Sequence, residues 1–399
     1  MKHHRDTGWT FVDERGTFAL PDADRTSYLY FPLLNERGMV AAVTPTLHGD
    51  VKTGHDTYLT IPVSVEDLHL SRGARNVWVQ VEDQEAWSAT GNSAAQIARR
   101  FARDAESVEL EAGFLWHRVV RTSPRFGLRA EITSFVPSND DAVEVMGVTL
   151  ENVTSQPLAL TVTAAIPIFG RSADHLRDHR HVTSLFHRVR THTHGVLVRP
   201  SLAFDERGHH PNNIAYAVLG AEADGAPPAA FYPVLEDFVG EGGTLDWPEA
   251  VMDQRLEGLE VGAAIDGYEA LGGLRFGPIT LAPGEGCDYV LILGILQPNE
   301  VPEPLIERYG SRAQLYAALE ATEEHWEAKL ATFHVDVADP RFNLWTKWVA
   351  LQPTLRRISG NSFLPYHDYG RGGRGWRDLW QDLLALMLMD SEPVDGLLL

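Results

Sequence analysis

The stretch Ala142-Val-Glu-Val-Met-Gly-Val-Thr-Leu150, followed by Leu158-Ala-Leu-Thr-Val-Thr163, shows the pattern that decides the fold. Both runs are rich in β-branched residues and have the length of a strand. Similar runs recur from residue 8 to about residue 300, and Gly, Pro, Asn and Asp separate them. Recurring short strands with turn signals between them predict a large antiparallel β-sandwich. One helix is predicted within this region, from Ser93 to Arg103.

The pattern changes at the proline-rich segment Gln297–Pro304, after which helical periodicity begins. Ser311 can N-cap a long amphipathic helix. Its apolar residues are Leu315, Leu319, Trp326, Leu330 and Phe333. Asp339-Pro340 has the form of an N-cap followed by proline at the first helical position. That second helix is predicted to turn Phe342, Trp345, Trp348 and Val349 inward. A third helix is predicted after Trp376, so a domain boundary is expected at about residue 300.

The overall composition limits the class of protein. The chain has 399 residues, and its 34 basic and 55 acidic residues give a net charge of −21. Such a charge opposes binding to nucleic acid. The single cysteine, Cys287, excludes an intramolecular disulfide framework and a multi-cysteine metal site. The first residues contain no apolar signal segment, and no run is long enough to span a membrane. We therefore expect a cytoplasmic protein.

A dense group of polar residues occupies the stretch Tyr369–Asp382. A glycine-rich turn containing Arg371 leads into a helix, on which Asp378, Gln381 and Asp382 are three and four positions apart. Residues at this spacing share one face of a helix. A carboxylate accepts hydrogen bonds from sugar hydroxyls, and a guanidinium donates them in a fixed fork. The stretch predicts a hydroxyl-binding site, and the alternative is a helix cap with structural ion pairs.

Several features of this stretch resemble a known family. Gly-Trp-Arg377-Asp378-Leu-Trp-Gln381-Asp382 is similar to the Arg-Asp-x-x-Gln-Asp signature of the cellobiose phosphorylase family, glycoside hydrolase family ninety-four. This version most resembles the branch of 1,2-β-oligoglucan phosphorylases and of the phosphorylase domain of cyclic β-1,2-glucan synthases. The segments Tyr30–Met39 and Arg75-Asn-Val-Trp78 also resemble that branch. The resemblance covers this whole chain but only the front part of the family's length.

The resemblance implies an organisation in three parts. These are a β-sandwich at residues 1–300, a helical linker at 301–335 and the start of a truncated (α/α)6 catalytic barrel at 336–399. It also implies reversible phosphorolysis of β-linked, specifically β-1,2, glucooligosaccharides, with inversion to α-glucose 1-phosphate. Inorganic phosphate would be the co-substrate, no cofactor is expected, and the complete protein would be a homodimer.

The resemblance also assigns the site residues. Those matching Arg371, Arg377 and Asp378 hold the glucosyl unit, whereas Gln381 and Asp382 could contact the sugar or support the residues that do. Asp368 could line the pocket or stabilise a turn. Trp376 and Trp380 could stack on a sugar ring, although buried packing is favoured for Trp380. The general acid and most phosphate ligands are expected beyond residue 399, so none of the residues present is predicted to be catalytic.

Three alternatives remain at this point. An inverting hydrolase could use the same scaffold, and a second catalytic carboxylate would then be required. The chain could also be a carbohydrate-binding protein without catalysis. A metal site could form from six nearby histidines: His175, His179, His181, His187, His192 and His194. Because they follow no fixed ligand motif, we predict no metal site.

The apolar end Val394–Leu399 leads us to expect a truncated chain or completion by another polypeptide.

Overall fold

The computed structural model of this chain describes residues 8–26, 29–82, 84–205, 208–253, 257–360 and 376–390. Within these ranges the strands are β1 Thr10–Phe11, β2 Phe18–Pro21, β3 Phe31–Leu34, β4 Val40–Val43, β5 Val51–Gly54, β6 Thr57–Tyr58, β7 Asn76–Val81, β8 Ala86–Ser88, β9 Ser107–Gly113, β10 Trp116–Ser123, β11 Leu128–Phe135, β12 Val143–Asn152, β13 Leu158–Ile168, β14 Arg188–His192, β15 Gly195–Val198, β16 Leu202–Asp205, β17 Gly208–Pro211, β18 Ala215–Glu222, β19 Ala230–Val234, β20 Ala264–Asp266, β21 Ala270–Arg275, β22 Ile279–Leu281 and β23 Gly286–Leu296. The helices are α1 Ala94–Arg99, α2 Arg180–Thr183, α3 Leu235–Val239, α4 Glu249–Met252, α5 Glu303–Tyr309, α6 Arg312–Leu330, α7 Pro340–Ser359 and α8 Trp376–Met389.

The strands form two large antiparallel sheets and two small ones among the described residues. The largest has eleven strands in the order β1-β2-β9-β10-β11-β12-β23-β18-β15-β14-β20. A six-stranded sheet follows the order β19-β21-β13-β7-β8, with β22 also paired to β13. The small sheets are β3-β4-β5-β6 and β16-β17. The prediction of a large antiparallel β-sandwich is confirmed.

The two large sheets enclose one continuous apolar core. Met146 and Val148 of β12 belong to the same buried cluster as Val77 of β7 and Val162 of β13. These residues come from both sheets, so the inner faces of the sandwich pack against each other. The pairing of β12 with β23, from Val143 opposite Gly294 to Glu151 opposite Gly286, joins distant parts of the chain at the centre of the large sheet.

The outer face of the large sheet is also buried, because α5 and α6 lie against it. Val143 and Val145 of β12 form a second buried cluster with Leu305 of α5 and Leu315 of α6. Gly147 continues this outer row, and a Cβ atom at that position would lie 3.0 Å from the Leu315 side chain. The run Ala142–Leu150 is therefore apolar on both of its faces because each face has a cover.

The predicted helix starts agree with the structure. The Ser311 side chain accepts a hydrogen bond from the Gln314 amide at the start of α6. The Asp339 side chain accepts one from the Arg341 amide at the start of α7. The apolar stripe of α6 is buried as predicted from Leu315 to Leu330, whereas Phe333 lies beyond the helix and is exposed.

The helix predicted from Ser93 is present and Ser93 caps its start, but other details of the helix predictions were wrong. The helix predicted for Ser93–Arg103 ends at Arg99, and three short helices, α2 to α4, were not predicted because four or five residues show no helical period. Phe342, Trp345 and Val349 of α7 are exposed rather than inward, and only Trp348 turns toward the sandwich. Among the helices of the described ranges, none combines the length and apolar character that a membrane span requires.

Candidate functional site

The predicted site lies where α7 and α8 pack beside the sandwich. Trp348 anchors α7, since its indole nitrogen donates a hydrogen bond to the Gly16 carbonyl at 2.8 Å and its ring contacts Phe114. Met389, at the end of α8, packs on the same apolar cluster, which also contains Leu351. Asp368 and Arg371 fall in the connection between α7 and α8, outside the described residues.

The first turn of α8 exposes two charged side chains that the sequence placed in the site. Arg377 is 84% exposed and Asp378 is 41% exposed, and an Arg377 Nη2 atom donates a hydrogen bond to Asp378 Oδ1 at 3.2 Å. Gln381 is exposed one turn further along the helix. These three residues offer a carboxylate, a guanidinium and an amide to the solvent, which are suitable groups for binding hydroxyls.

Asp382 does not share that exposure, although it lies only one turn after Asp378. Its side chain is 3% exposed and accepts two hydrogen bonds from Arg356 Nε, both at 2.9 Å, and one from Arg356 Nη2 at 2.5 Å. The three residues predicted to share one face of α8 therefore differ. Asp378 and Gln381 face solvent, whereas the Asp382 carboxylate faces α7. Asp382 is engaged by the protein and holds α8 against α7.

The two tryptophans of α8 are also exposed. Trp376 is 78% exposed and Trp380 is 47% exposed, and their ring centroids are 6.4 Å apart. The prediction that Trp380 is buried was wrong, because α8 packs through Leu379, Leu383 and Leu386 instead. Both indoles are exposed, but each is two positions from Asp378 along the helix and therefore lies on another side of α8. Aromatic faces of this kind can stack on a sugar ring.

A residue that the sequence did not single out positions both helices. Glu36 lies in the turn between β3 and β4 and contacts Arg357 of α7, Lys329 Nζ of α6 at 2.9 Å and His325 at 3.4 Å. Lys329 also lies 2.5 Å from Asp390, directly after α8. Interaction with the His325 side chain, followed by the charges of Lys329 and Arg357, lowers the pKa of Glu36 to about 2. The turn belongs to the Tyr30–Met39 segment, but its partners are distant in sequence and had no local signal.

The segment Arg75-Asn-Val-Trp78 lies in the core rather than at this site. Arg75 and Glu144 are both fully buried, and Arg75 Nη2 donates a hydrogen bond to Glu144 Oε2 at 2.7 Å. Arg75 also donates to the carbonyls of Leu47 and Gly49. This arrangement ties two strands and a loop together and gives the segment a structural role.

The six histidines considered as metal ligands lie in several different surroundings. His187 is buried, His192 contacts Glu303 at 3.0 Å, and His194 contacts the Gly220 carbonyl at 3.3 Å. His181 lies 3.6 Å from Glu236. The rings of His175 and His209 stack at a centroid distance of 6.4 Å. The rings of His179 and His181 are 5.9 Å apart. Within the described residues, none of the six belongs to a group of three side chains that could hold an ion.

The ion pair between Arg356 and Asp382 gives an asymmetric prediction for stability. Arg356→Met leaves the buried Asp382 carboxylate without its partner, and we expect the free energy of unfolding to fall by about 3 kcal/mol. Asp382→Leu is expected to cost only about 1–2 kcal/mol, because the Arg356 side chain is 34% exposed and can reach water. Unfolding in guanidinium chloride measures both values.

The control for this pair is Arg377→Met, which removes an exposed arginine from α8, the helix that carries Asp382. A change below about 0.5 kcal/mol is expected for it. If Asp382→Leu cost as much as Arg356→Met, the burial of the carboxylate would not be the source of the effect.

Comparisons with known proteins place this geometry in context. The family model described as "Glycosyl hydrolase 94, supersandwich domain" matches residues 59–312. An N,N'-diacetylchitobiose phosphorylase from Vibrio proteolyticus is 26% identical over 266 residues. That alignment covers 65% of this chain and 30% of the relative, so the chain spans about 30% of the length of this curated protein.

The solved structures that match this chain have low sequence identity and low TM-scores. A bacterial glucoamylase complexed with acarbose has a TM-score of 0.37 and 10% identity, covering 96% of this chain and 41% of that one. A family GH92 α-mannosidase from Bacteroides thetaiotaomicron has a TM-score of 0.33 and 11% identity, covering 84% of this chain and 37% of that one.

Proposed function

Because the chain belongs to the glycosyl hydrolase 94 family, we propose that it supplies the β-sandwich and part of the glucosyl-binding subsite of a glycoside phosphorylase. The observation that carries this proposal is the exposed pair Arg377–Asp378 in the first turn of α8, within a chain whose sandwich matches the family. The substrate proposed is a β-linked, specifically β-1,2, glucooligosaccharide, together with phosphate.

The proposed binding step follows from the groups at this turn. The Asp378 carboxylate accepts hydrogen bonds from two hydroxyls of one glucosyl unit, while Arg377 donates to another oxygen. Trp376 offers an exposed aromatic face in the same turn of α8. Gln381 reaches the same side of α8, and Asp382 keeps the helix in place through Arg356. Asp368 and Arg371 complete the proposed subsite.

The proposed reaction needs only one protein carboxyl group. Phosphate attacks the anomeric carbon and forms the new C–O bond while an aspartic acid protonates the leaving glycosidic oxygen, so the product is α-glucose 1-phosphate. An inverting hydrolase needs a second carboxylate to activate water. In this proposal the general acid and most phosphate ligands come from residues that follow residue 399.

The exposed apolar faces of α7 and α8 support the proposed division of the chain into a sandwich, a linker and the start of a helical barrel. Trp345 of α7 and Leu388 of α8 are large apolar residues in contact with solvent. Helices of an (α/α)6 barrel beginning at about residue 336 would cover such faces, with residues 301–335 as the linker and residues 1–300 as the sandwich. A homodimer of the complete protein is part of the same proposal.

A second candidate substrate comes from the curated relative. That protein is named for N,N'-diacetylchitobiose, a disaccharide of N-acetylglucosamine. The version of the motif at residues 375–382 favours the β-1,2-glucan branch, so the glucan remains the first candidate.

Titration calorimetry with sophorose, glucose and N,N'-diacetylchitobiose tests the proposed site. We expect sophorose to bind weakly to the chain, and Asp378→Ala to weaken that binding at least about tenfold, or about 1.4 kcal/mol, because two hydroxyls lose their acceptor. Glu320→Ala, which removes an exposed carboxylate from α6, should bind like the wild type.

The outcomes separate the alternatives. Preferential binding of N,N'-diacetylchitobiose, still dependent on Asp378, would support the second candidate. Equal binding by the wild type and by Asp378→Ala would mean that this carboxylate does not hold the sugar.

A further inference from the structure

We propose that His55, Asp56 and Asp174 form a binding site for a divalent transition-metal ion, with Zn²⁺ as the ion of best fit. One ligand atom from each of the three side chains lies within 4.8 Å of the other two. His55 and Asp56 form the turn between β5 and β6, and Asp174 lies in a short 3₁₀ segment that follows β13. None of the histidines that the sequence suggested as ligands is in this group.

The distance between two of the ligand atoms fits a metal-bridged pair better than a direct hydrogen bond. His55 Nε2 lies 3.3 Å from Asp174 Oδ1. Both His55 ring nitrogens are buried, yet within the described part of the chain neither has a hydrogen-bond partner. Ligands bound to a tetrahedral zinc ion at about 2.0–2.1 Å are roughly 3.3–3.4 Å apart. An ion between the imidazole and the carboxylate would therefore fit at their present separation and would give a His55 nitrogen a ligand bond.

One hydroxyl group connects the two acidic residues of the site. The Ser172 Oγ atom donates a hydrogen bond to Asp56 Oδ1 at 3.1 Å and accepts one from the Asp174 amide at 3.2 Å. Ser172 is itself buried. A hydrogen bond to a metal-binding carboxylate, such as the one to Asp56, raises the affinity of a site. The bond from the amide fixes the backbone at Asp174. The exposed side chain of Asp56 can rotate to shorten its distance to the other two ligands.

The backbone beneath these ligands forms a rigid frame. The Ala173 amide donates to the His55 carbonyl at 3.0 Å, and the amides of Tyr58 and Arg171 each donate to the other's carbonyl. Tyr58, Phe169 and Ala173 form a buried apolar cluster below the turn. Both chain segments are therefore held side by side before any ion binds, which lowers the cost of assembling the site.

The donor set indicates the class of ion. One imidazole and two carboxylates suit zinc and neighbouring first-row metals, whereas calcium takes six to eight oxygen ligands. The charge of a divalent ion balances the two carboxylates. Three protein ligands leave a position for water on a tetrahedral ion. The ion would fasten the β5–β6 turn to the start of the segment that contains α2.

Metal titration of the full chain, purified without a histidine tag and treated with a chelator, tests this site. We expect one Co²⁺ per chain with visible d–d absorption bands, and displacement of Co²⁺ by Zn²⁺. His55→Ala and Asp174→Asn should each weaken binding roughly tenfold or more, and Ser172→Ala by roughly tenfold. His192→Ala, which removes a histidine that faces Glu303, is the matched control and should bind like the wild type.

A second readout separates binding from misfolding. Hydrogen exchange of residues 173–183 should slow when Zn²⁺ is added to the wild type and should not respond in Asp174→Asn, a variant of nearly the same shape whose circular dichroism should match the wild type. Absence of saturable one-to-one binding, or binding in His55→Ala and Asp174→Asn equal to that of the wild type, would overturn the proposal.

Discussion

Glu144→Gln is expected to lower the free energy of unfolding by about 3–5 kcal/mol, because it leaves the Arg75 guanidinium buried without a counter-charge. Both side chains are 0% exposed, and Arg75 Nε lies 2.7 Å from Glu144 Oε1. Water cannot reach either group to replace the lost partner. Burial by itself raises the pKa of Glu144, and the charge of Arg75 opposes that shift. Each charge is thus tolerated in the core only because the other is present.

The pair also predicts the behaviour of a double variant. The double variant Arg75→Met/Glu144→Leu replaces both charges, so no unpaired charge stays buried. It should recover most of the unfolding free energy that Glu144→Gln loses. Glu85→Gln breaks the exposed pair with Arg125 and should change stability by less than about 1 kcal/mol. Denaturant unfolding measures all three. A loss for Glu144→Gln as small as that for Glu85→Gln would refute the argument.

Acidification from pH 7 to pH 5 is expected to destabilise the folded chain by about 4–5 kcal/mol. His48, His117 and His187 are buried, and burial lowers the pKa of each to about 3, compared with 6.5 for an ordinary histidine. Below pH 6.5 the unfolded chain takes up protons at these residues and the folded chain does not. The stability they contribute is fully present above pH 6.5 and is lost as the pH falls, by about 2 kcal/mol for each histidine at pH 5.

Carboxyl groups whose pKa is raised by burial act in the opposite direction; Asp50, Glu144 and Glu323 are among them. Burial raises the pKa of Asp50 to about 6, so the folded chain binds this proton more tightly than the unfolded chain. Between pH 6 and about 4 this group adds stability as the pH falls, about 1.4 kcal/mol at pH 5. The histidines outweigh it because there are three of them. The net loss is a large part of the 5–15 kcal/mol that stabilises a typical protein.

Urea unfolding at pH 7, 6 and 5 checks this prediction. His117→Phe should reduce the slope of stability against pH by about 1.4 kcal/mol per pH unit below pH 6, because one proton is removed from the linkage. The His117 ring packs near Phe31, and its nitrogens have no hydrogen-bond partner among the described residues, so phenylalanine suits the position. His181→Gln alters an exposed ring and should leave the slope unchanged. Stability that is constant from pH 7 to pH 5 would contradict the assignment.

The sequence predicted those parts of the structure that depend on neighbouring residues. The run Ala142–Leu150 indicated a strand, and Ser311 and Asp339 marked the starts of α6 and α7, because strand propensity and N-caps act locally. The outward turn of Trp345 was not predictable in this way. It depends on how α7 lies against the sandwich, which no local pattern specifies.

The candidate site shows the same division. Arg377 and Asp378 stand out because a motif joins them within one helical turn. The role of Asp382 required the position of Arg356, which lies on another helix. The site proposed at His55 and Asp174 joins a hairpin turn to a segment that follows a distant strand, and no spacing in the sequence relates the two.

Because Leu315 of α6 packs against Gly147 of β12, the sandwich and α6 must be kept together when the protein is shortened or fused to another. A chain ending at Leu296 would retain every strand of the sandwich but would lose α5 and α6, leaving Val145 and its neighbours on the outer face in water. A sandwich expressed or fused without these helices would expose an apolar surface that favours aggregation. The shortest stable fragment therefore extends through Leu330, the end of α6. We expect recombination between related genes to keep the sandwich, α5 and α6 together.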